Sequence, residues 1–401
     1  MKGERGGGRG PEASEPGSTA PGLPDLLYGE AETELRAAVR ELLADRCGWP
    51  EVLARTETPQ AYDPGLWQVL AAGLGCAGLL IPEVSGGAGA SYREAAVVAE
   101  ETGRAVAPVP FLGSAVVATA ALLAAGDEEL LTALAAGTAT AALAVPFAAA
   151  PGARPEPTVR LGVPAPDPGN GDPGYRLTGT VAGVADALPA DVLVVPADGV
   201  PYALYAVRAA DVAMTPVVSL DMTRQLADLT LDNVPGRRLA TGAAAERAVA
   251  DALTAGAAML AAEQLGAAGR CLEITMAYLK ERRQFARPVG SFQALKHRAA
   301  DLWVGVIQAR AAARYAAACL AAGDPDTPVA VALAKAACSD IAVRAAQECV
   351  QLHGGIGFTW EHPAHLYLKR AKSGAIGFGT PDRHRASLAG FVDLPAPGAA
   401  R

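Results

Sequence analysis

Nowhere in its 401 residues does the sequence run for about 18 strongly apolar residues without a break, so no transmembrane helix is expected. Its hydrophobic share of 51% is largely alanine. The six cysteines, Cys47, Cys76, Cys271, Cys319, Cys338 and Cys349, include no C-x-x-C pair. They offer no zinc or other metal site and suit a reducing cytoplasm, where free cysteine packs as a small hydrophobe. A net charge of −8 gives no overall positive field for nucleic acid, although a local basic patch for phosphates is still allowed. Neither a strand-linked G-x-G-x-x-G nor a Walker lysine is present, which removes two common phosphate-binding loops. The opening MKGERGGGRGPEASEPGSTAPG has no apolar centre. It reads as a Gly/Pro/Ser-rich disordered leader, not a secretory signal.

What is present is a change of period along the chain. From Leu26 to about Gly126 the pattern is helical, with Leu35, Val39, Leu42 and Leu43 on one face. Asp63-Pro64 reads as an N-cap followed by proline at the first helical position, with Leu66, Trp67, Leu70 and Leu74 turned inward. Gly86, Gly87 and Gly89 form a loop. Ser91 and Glu94 form a capping box, and the helix they open is expected to stop at Gly103. From about Thr138 to Thr241, short runs such as DVLVVPA, YALYAV and LADLTLDNV are separated by Pro, Gly and Asp. They predict a small antiparallel β-barrel or sandwich. From Ala244 to about Phe391 the chain is Ala-rich and helical again, as in a four-helix bundle. The expected class is mainly α with a central β domain. Its divisions are a leader at 1–25, an N-terminal helical domain at 26–130, a middle β domain at 131–241, a C-terminal four-helix bundle at 242–392 and a tail at 393–401.

Two stretches in the last part carry chemistry. In the first, Leu272, Met276 and Leu279 mark the apolar face of a helix that ends in Lys280, Glu281, Arg282 and Arg283. Pro288 and Gly290 break the chain, and Ser291 is the expected N-cap of the next helix. The result is a cationic corner with Phe285 at its bend. The paired donors of a guanidinium suit a diphosphate. The second stretch is Gln351-Leu352-His353-Gly354-Gly355-Ile356-Gly357-Phe358, where three glycines end a helix and permit close backbone approach.

Together, Arg282, Gln284, Phe285, Pro288, Phe292, Gln293, Lys296, Ala300 and Asp301 resemble the R-x-Q-F-G-x-P-I-x-x-F-Q signature of acyl-CoA dehydrogenases, with Ala286 where that family usually has Gly. LWQVLAAGLGCAGLLIPEVSGGAGAS, the run Tyr175 to Gly179 with Ala190-Asp191, and Gln351 to Phe358 resemble other parts of the same family. The resemblance spans roughly Leu26 to Ala389. It implies FAD as cofactor, held by Arg282, Gln284, Phe285, Gln293, Gln351, Leu352, His353, Gly354, Gly355 and Thr380, with the signature residues reaching the FAD of a neighbouring subunit. It also implies an acyl-CoA or acyl-carrier thioester as substrate, a flavoprotein as electron acceptor, and a homo- or hetero-oligomer, dimer or tetramer. His353, against a glycine turn, is read as structural and not as a base.

The family's reaction removes an α-proton and passes the β-hydrogen as hydride to the flavin. It therefore needs a carboxylate in a dry pocket and hydrogen-bond donors for the thioester oxygen. The resemblance places that Glu either before Gly-Thr, which is Phe378 here, or on the helix before the first signature, which is Gly256. Neither residue accepts a proton. Glu263 lies seven residues beyond Gly256, on the same face and about 10 Å along the axis. It is the expected candidate for the base, with a structural partner of an arginine as the alternative. VPFAAAPGAR, and Gly183 with Val184 and Ala185, stand where the family keeps its flavin-ring contacts. Three readings stay open: an acyl thioester dehydrogenase acting alone, a base-less subunit that completes a catalytic homologue's FAD site, and a different flavin oxidation or hydroxylation on the same scaffold.

Overall fold

The computed structural model describes residues 26–391 apart from 61, 153–155, 163–164 and 167–172. The leader at 1–25 and the tail from 392 lie outside the described residues. The N-terminal part holds α1 (Glu30–Arg46), α2 (Trp49–Thr56), α3 (Pro64–Gln68), α4 (Tyr92–Ala105), α5 (Thr119–Ala125) and α6 (Glu128–Ala135). Its caps are those the sequence indicates. The Asp63 carboxylate accepts from Leu66 N at 2.9 Å, and Ser91 N donates to Glu94 Oε2 at 2.9 Å. Leu66, Trp67 and Leu70 are buried, and Leu74 packs at the edge of the core.

α4 runs two residues past Gly103 and ends at Val106, whose φ is +50°. Gly103 is needed for packing, not for stopping the helix. A Cβ there would lie 2.0 Å from the Glu263 carbonyl oxygen, and one on Gly266 would lie 1.8 Å from that of Glu100. Two glycines thus let two helix backbones touch.

The middle part is one sheet with the order β1 (Ala141–Leu143), β5 (Val192–Ala197), β6 (Ala203–Arg208), β8 (Leu226–Thr241), β4 (Pro173–Ala185) and β2 (Val159–Leu161). β3 (Ala165–Pro166) lies beside β4, and β7 (Ala213–Val217) beside β8. Among the described residues no closed barrel is found: β2 meets the chain just beyond β5 through a single bridge, Arg160 to Asp198, with Asp198 N donating to Val159 O at 2.7 Å. β1 also pairs with β5 in parallel, a departure from the antiparallel expectation, because the chain enters β1 from the helical domain and not from a hairpin. The period of two sorts the side chains of β5 into two cores. Leu193 and Val195 join Leu177, Tyr205, Leu229 and Leu231 within the sheet, while Val194 faces the helices.

β8 leads directly into α7 (Ala243–Glu281), a 39-residue helix that packs on α8 (Gln293–Ala322), α9 (Thr327–His353) and α4. The shorter α10 (Ala364–Ile376) and α11 (Pro381–Phe391) lie on α9. The C-terminal part is therefore three long helices, with two short ones where a regular four-helix bundle has its last member. α7 is buried along most of its length. Its mean composition is Ala-rich because it meets neighbours on several sides.

Candidate active site and cofactor corner

Phe378 and Gly256, the two positions where the resemblance places a base, meet in space. A Cβ on Gly256 would lie 2.7 Å from Phe378 Cζ and 2.9 Å from Val117 Cγ2, so the ring occupies the room that a side chain at 256 would need. Phe147 packs edge-on against Phe378, with centroids 5.5 Å apart at 73°. It is brought there by VPFAAAPGAR, and its N–H donates to the Gly183 carbonyl at 2.9 Å. Gly377 admits it, since a Cβ there would lie 2.3 Å from Phe147 Cζ. The segments expected at a flavin ring therefore converge, but on two phenylalanines. Between Phe147, Phe378, Leu112, Val117, Asp186 and Arg224 the remaining cavity is about 20 Å³, enough for one water at most. Neither a thioester nor an isoalloxazine ring fits it.

The loop holding Phe378 is fixed from below. Phe378 itself has φ +51°. Its N–H donates to Phe147 O at 2.8 Å, and its carbonyl accepts from His384 Nε2 at 2.8 Å. Lys335 of α9 is fully buried, and its Nζ donates to Ser339 Oγ at 2.8 Å, Gly374 O at 2.9 Å and Gly379 O at 3.3 Å. No carboxylate reaches that ammonium among the described residues, and burial pulls its pKa down to about 7.

Glu263 is not open to this cavity. Arg224 Nη2 and Arg370 Nε hold its two oxygens, the latter at 2.8 Å, and all three side chains are buried. Burial alone would raise the carboxyl pKa, but the two guanidiniums outweigh it and hold it at about 2. A carboxylate so held is a poor proton acceptor. The arrangement matches the alternative of a structural arginine partner. Asp186 lies 3.8 Å from Arg224 and Asp221 lies 3.6 Å from Arg370, which extends the array to five charged groups. Burial pushes Asp186 upward, with Arg224 and Arg370 opposing in part, while Gly113 N–H donates to it at 2.9 Å. The array ties the end of β4 and the loop after β7 to α7 and α10.

The cationic corner is a two-residue hairpin. Arg283–Gln284 pairs with Arg287–Pro288, and Phe285 and Ala286 between them have φ +52° and +59°. Positive φ at both central residues explains why glycine is favoured at 286. Phe285 is 86% exposed. Arg282, Gln284, Gln293, Gln351, Gly354, Gly355 and Thr380 are also exposed. Ser291 is not the cap of α8: Phe292 takes that place without a side-chain bond, and a short turn, Val289–Ser291, precedes it.

The ring of Tyr278 stacks on His353 with centroids 4.5 Å apart, which brings the ends of α7 and α9, and so the corner and the glycine run, to one end of the bundle. Nothing lies within 4 Å of a Cβ built on Gly354 or Gly355. Leu352 and His353 are buried, so only their backbone can face a ligand. His353 Nδ1 lies 2.6 Å from Cys349 O. The exposed groups suit the charged, dinucleotide half of FAD, but the chain's own ring pocket does not suit the isoalloxazine half. Arg224, Asp186 and Phe147 sit in loops or at strand ends with no periodic signal. Lys335 is betrayed only by being a lone cation in an apolar helical face.

The family model for the acyl-CoA dehydrogenase N-terminal domain matches residues 29–141, and that for the C-terminal domain matches residues 246–392. The chain belongs to the acyl-CoA dehydrogenase family, which is FAD-dependent. It is 38% identical to acyl-CoA dehydrogenase IpdE2 of Mycobacterium tuberculosis over 86% of this chain and 92% of that one. Among solved structures it is similar to a Tcur3481-Tcur3483 steroid ACAD variant, with TM-score 0.76, 31% identity, and coverage of 91% of this chain and 98% of that one. It is also similar to the ChsE4-ChsE5 complex from Mycobacterium tuberculosis, with TM-score 0.80, 27% identity, and coverage of 93% and 100%. No helix among the described residues is long and apolar enough to cross a membrane.

Proposed function

We propose that this chain is the base-less subunit of a two-chain acyl-CoA dehydrogenase. It lends its cationic corner to the FAD of a related chain, which carries the catalytic Glu and dehydrogenates an acyl thioester at its α,β-carbons. The observation that carries this reading is Phe378 packed on Gly256, with Phe147 behind it: both base positions are filled by an apolar plug. The exposed Arg282, Gln284, Phe285, Gln293, Gln351 and Gly354–Gly355 support the other half, a dinucleotide held from outside. Two relatives are described as pairs of named chains, ChsE4-ChsE5 and Tcur3481-Tcur3483, and the second as a steroid ACAD. A CoA thioester with a bulky, ring-bearing acyl group is accordingly the first substrate class to try.

The test is co-expression with acyl-CoA dehydrogenase-like chains of the same organism that keep Glu-Gly-Thr at the place of Phe378 to Thr380. The pair should purify yellow and reduce a dye with acyl-CoA, while this chain alone should be colourless and silent. A lone chain that retains flavin and turns over acyl-CoA would overturn the proposal.

A further inference from the structure

α7 and α9 end side by side, and the seam between their last turns holds two thiols. At the outer end the Tyr278 ring stacks on His353 with centroids 4.5 Å apart, and His362 stacks on the same ring at 4.0 Å. The His353 ring also bonds the Ile274 backbone. One turn below Ile274 lies Cys271, and one turn below His353 lies Cys349, so the helical period turns both sulfurs into this seam. Cys349 Sγ lies 3.8 Å from His353 Nδ1 and shares a hydrogen bond with the Cys271 thiol. The two cysteines are 1% and 0% exposed, and their neighbours Ala267, Ala268, Ala345 and Ala346 are buried as well. Helices packed on alanine approach to about 8 Å between axes, which leaves Cα atoms on the contact line within the roughly 4.4–6.8 Å that a disulfide spans.

Other cysteines of this chain are plain packing groups. Burial pushes the thiols of Cys47, Cys76 and Cys338 up to about 12. Cys349 goes the other way: the hydrogen bond from Cys271 draws its thiol down against burial, and His353 adds to the effect. Burial pushes the Cys271 thiol up. One sulfur is therefore the nucleophile and the other keeps its proton. An open cleft of about 370 Å³, lined by Arg270 and Ile274 of α7 with Pro363 and Tyr367, runs against the turn that carries Cys271 and admits small solutes. Cys47 lines the same cleft.

We infer that Cys271 and Cys349 are a peroxide-reactive pair that closes to a disulfide between α7 and α9. The Cys349 thiolate attacks one oxygen of hydrogen peroxide and the O–O bond breaks. The leaving hydroxide takes back the proton that Cys349 released and becomes water, and Cys349 is left as a sulfenic acid. The Cys271 sulfur then attacks the Cys349 sulfur, and the Cys271 proton departs with the remaining oxygen as a second water. Two thiols and one peroxide give one disulfide and two waters: the sulfurs are oxidised and the peroxide is reduced. The bond ties the two helices at the end that bears the hairpin and the glycine run, so it sets how rigidly those segments are held together. None of this depends on the two-chain reading.

The experiment treats the full wild-type chain with hydrogen peroxide, unfolds it in denaturant containing iodoacetamide, and maps the peptides by mass spectrometry without reduction. The peptides bearing Cys271 and Cys349 should appear joined, and their alkylated forms should fall about ten-fold, while Cys47 stays alkylated. The oxidised chain should keep its cooperative melt, and the amides of 278–284 and 353–357 should exchange more slowly than in the reduced chain. In Cys271→Ala the sulfenic acid at Cys349 lacks a resolving thiol and should be captured by dimedone. Cys349→Ala should give neither a bond nor an adduct at Cys271. The inference is overturned if every thiol of the treated wild-type chain stays alkylated, if Cys47 is oxidised first, or if the bond forms only when peroxide meets the unfolded chain. Exchange unchanged by a formed bond overturns its hold on the two segments. The wild-type map decides the pairing by itself, whether or not a variant folds.

Discussion

The ring of Phe378 lies on the bare α-carbon of Gly256, so close that a single methyl on the glycine would stand 2.7 Å from Cζ. The two places where the resemblance puts the family's carboxylate are thus one place in space, approached from a loop and from α7. Here the loop supplies a ring and the helix supplies the vacancy for it. This fit is size-matched, and Phe147 and Gly377 complete it.

That matching predicts non-additive stability. Gly256→Ala overpacks the contact and should cost about 1–3 kcal/mol. Phe378→Ala empties a well-packed site and should cost about 3–5 kcal/mol. Combined, the methyl enters the space the ring has left, and the total should fall short of the sum by at least about 0.5 kcal/mol. Urea midpoints of the four proteins measure this, and strict additivity would mean that the two residues do not share the space.

Glu263 gives a prediction with a sign. Its folded pKa, about 2, lies below the ordinary value of 4.5. The stabilisation it brings is therefore present above about pH 4.5 and disappears as the pH falls towards 2. Glu263→Gln leaves two buried guanidiniums short of a counter-charge and should cost about 3–5 kcal/mol at pH 7. The gap between wild type and variant should narrow on acidification, in thermal melts from pH 6 down to pH 3. A gap that stays constant would remove the charge array as its cause. Flavin reduction by the intact pair should survive Glu263→Gln wherever the pair stays folded, since this carboxylate does not face the cavity.

Lys335 should show a slope of the same sign at higher pH. Its folded pKa, about 7, is below the 10.5 of a free lysine, so between these values the unfolded chain holds the extra proton. Stability then rises with pH across that range. The slope is cleanest between pH 7 and 8.5, below the range where the buried thiols of Cys47, Cys76 and Cys338, pushed up to about 12, act with the other sign. Lys335→Met should flatten the wild-type rise, while losing stability overall because the carbonyls of Gly374 and Gly379 lose their donor. Equal slopes for the two proteins would show that the ammonium is not the titrating group.

The readable parts of this sequence were those where a local rule decides. The caps at Asp63 and Ser91 and the strand runs around Leu193, Leu204 and Leu229 follow from residue type and period alone. So does the break at Pro288. How far the sheet closes was not readable, because alternation fixes which face a residue takes and not which strands meet at the ends of the sheet. The end of α4 was misplaced because Gly103 serves a contact with α7 that no local pattern encodes. In the site, the empty base positions could be counted from the motifs. What fills them could not: Phe147 comes from a stretch without periodicity, and Arg224 from a loop between strands. Glu263 looked available because its partners, Arg224 and Arg370, are distant in the chain and near only in the fold.

The corner supplies the last prediction. Arg282 is exposed at the end of α7, so Arg282→Ala should leave the chain's own unfolding free energy within about 0.5 kcal/mol of wild type. In the mixed complex, losing charge-assisted bonds to a diphosphate should cost about 1.5–3 kcal/mol of cofactor binding, or roughly 10- to 100-fold in flavin retention. Arg208→Ala is the control, since Arg208 is also exposed but lies on β6 at the sheet, away from the hairpin. Equilibrium dialysis of the pair against dilute FAD separates the cases. Equal retention by both variants would place the dinucleotide elsewhere, and a loss confined to Arg282→Ala would put the diphosphate at the corner.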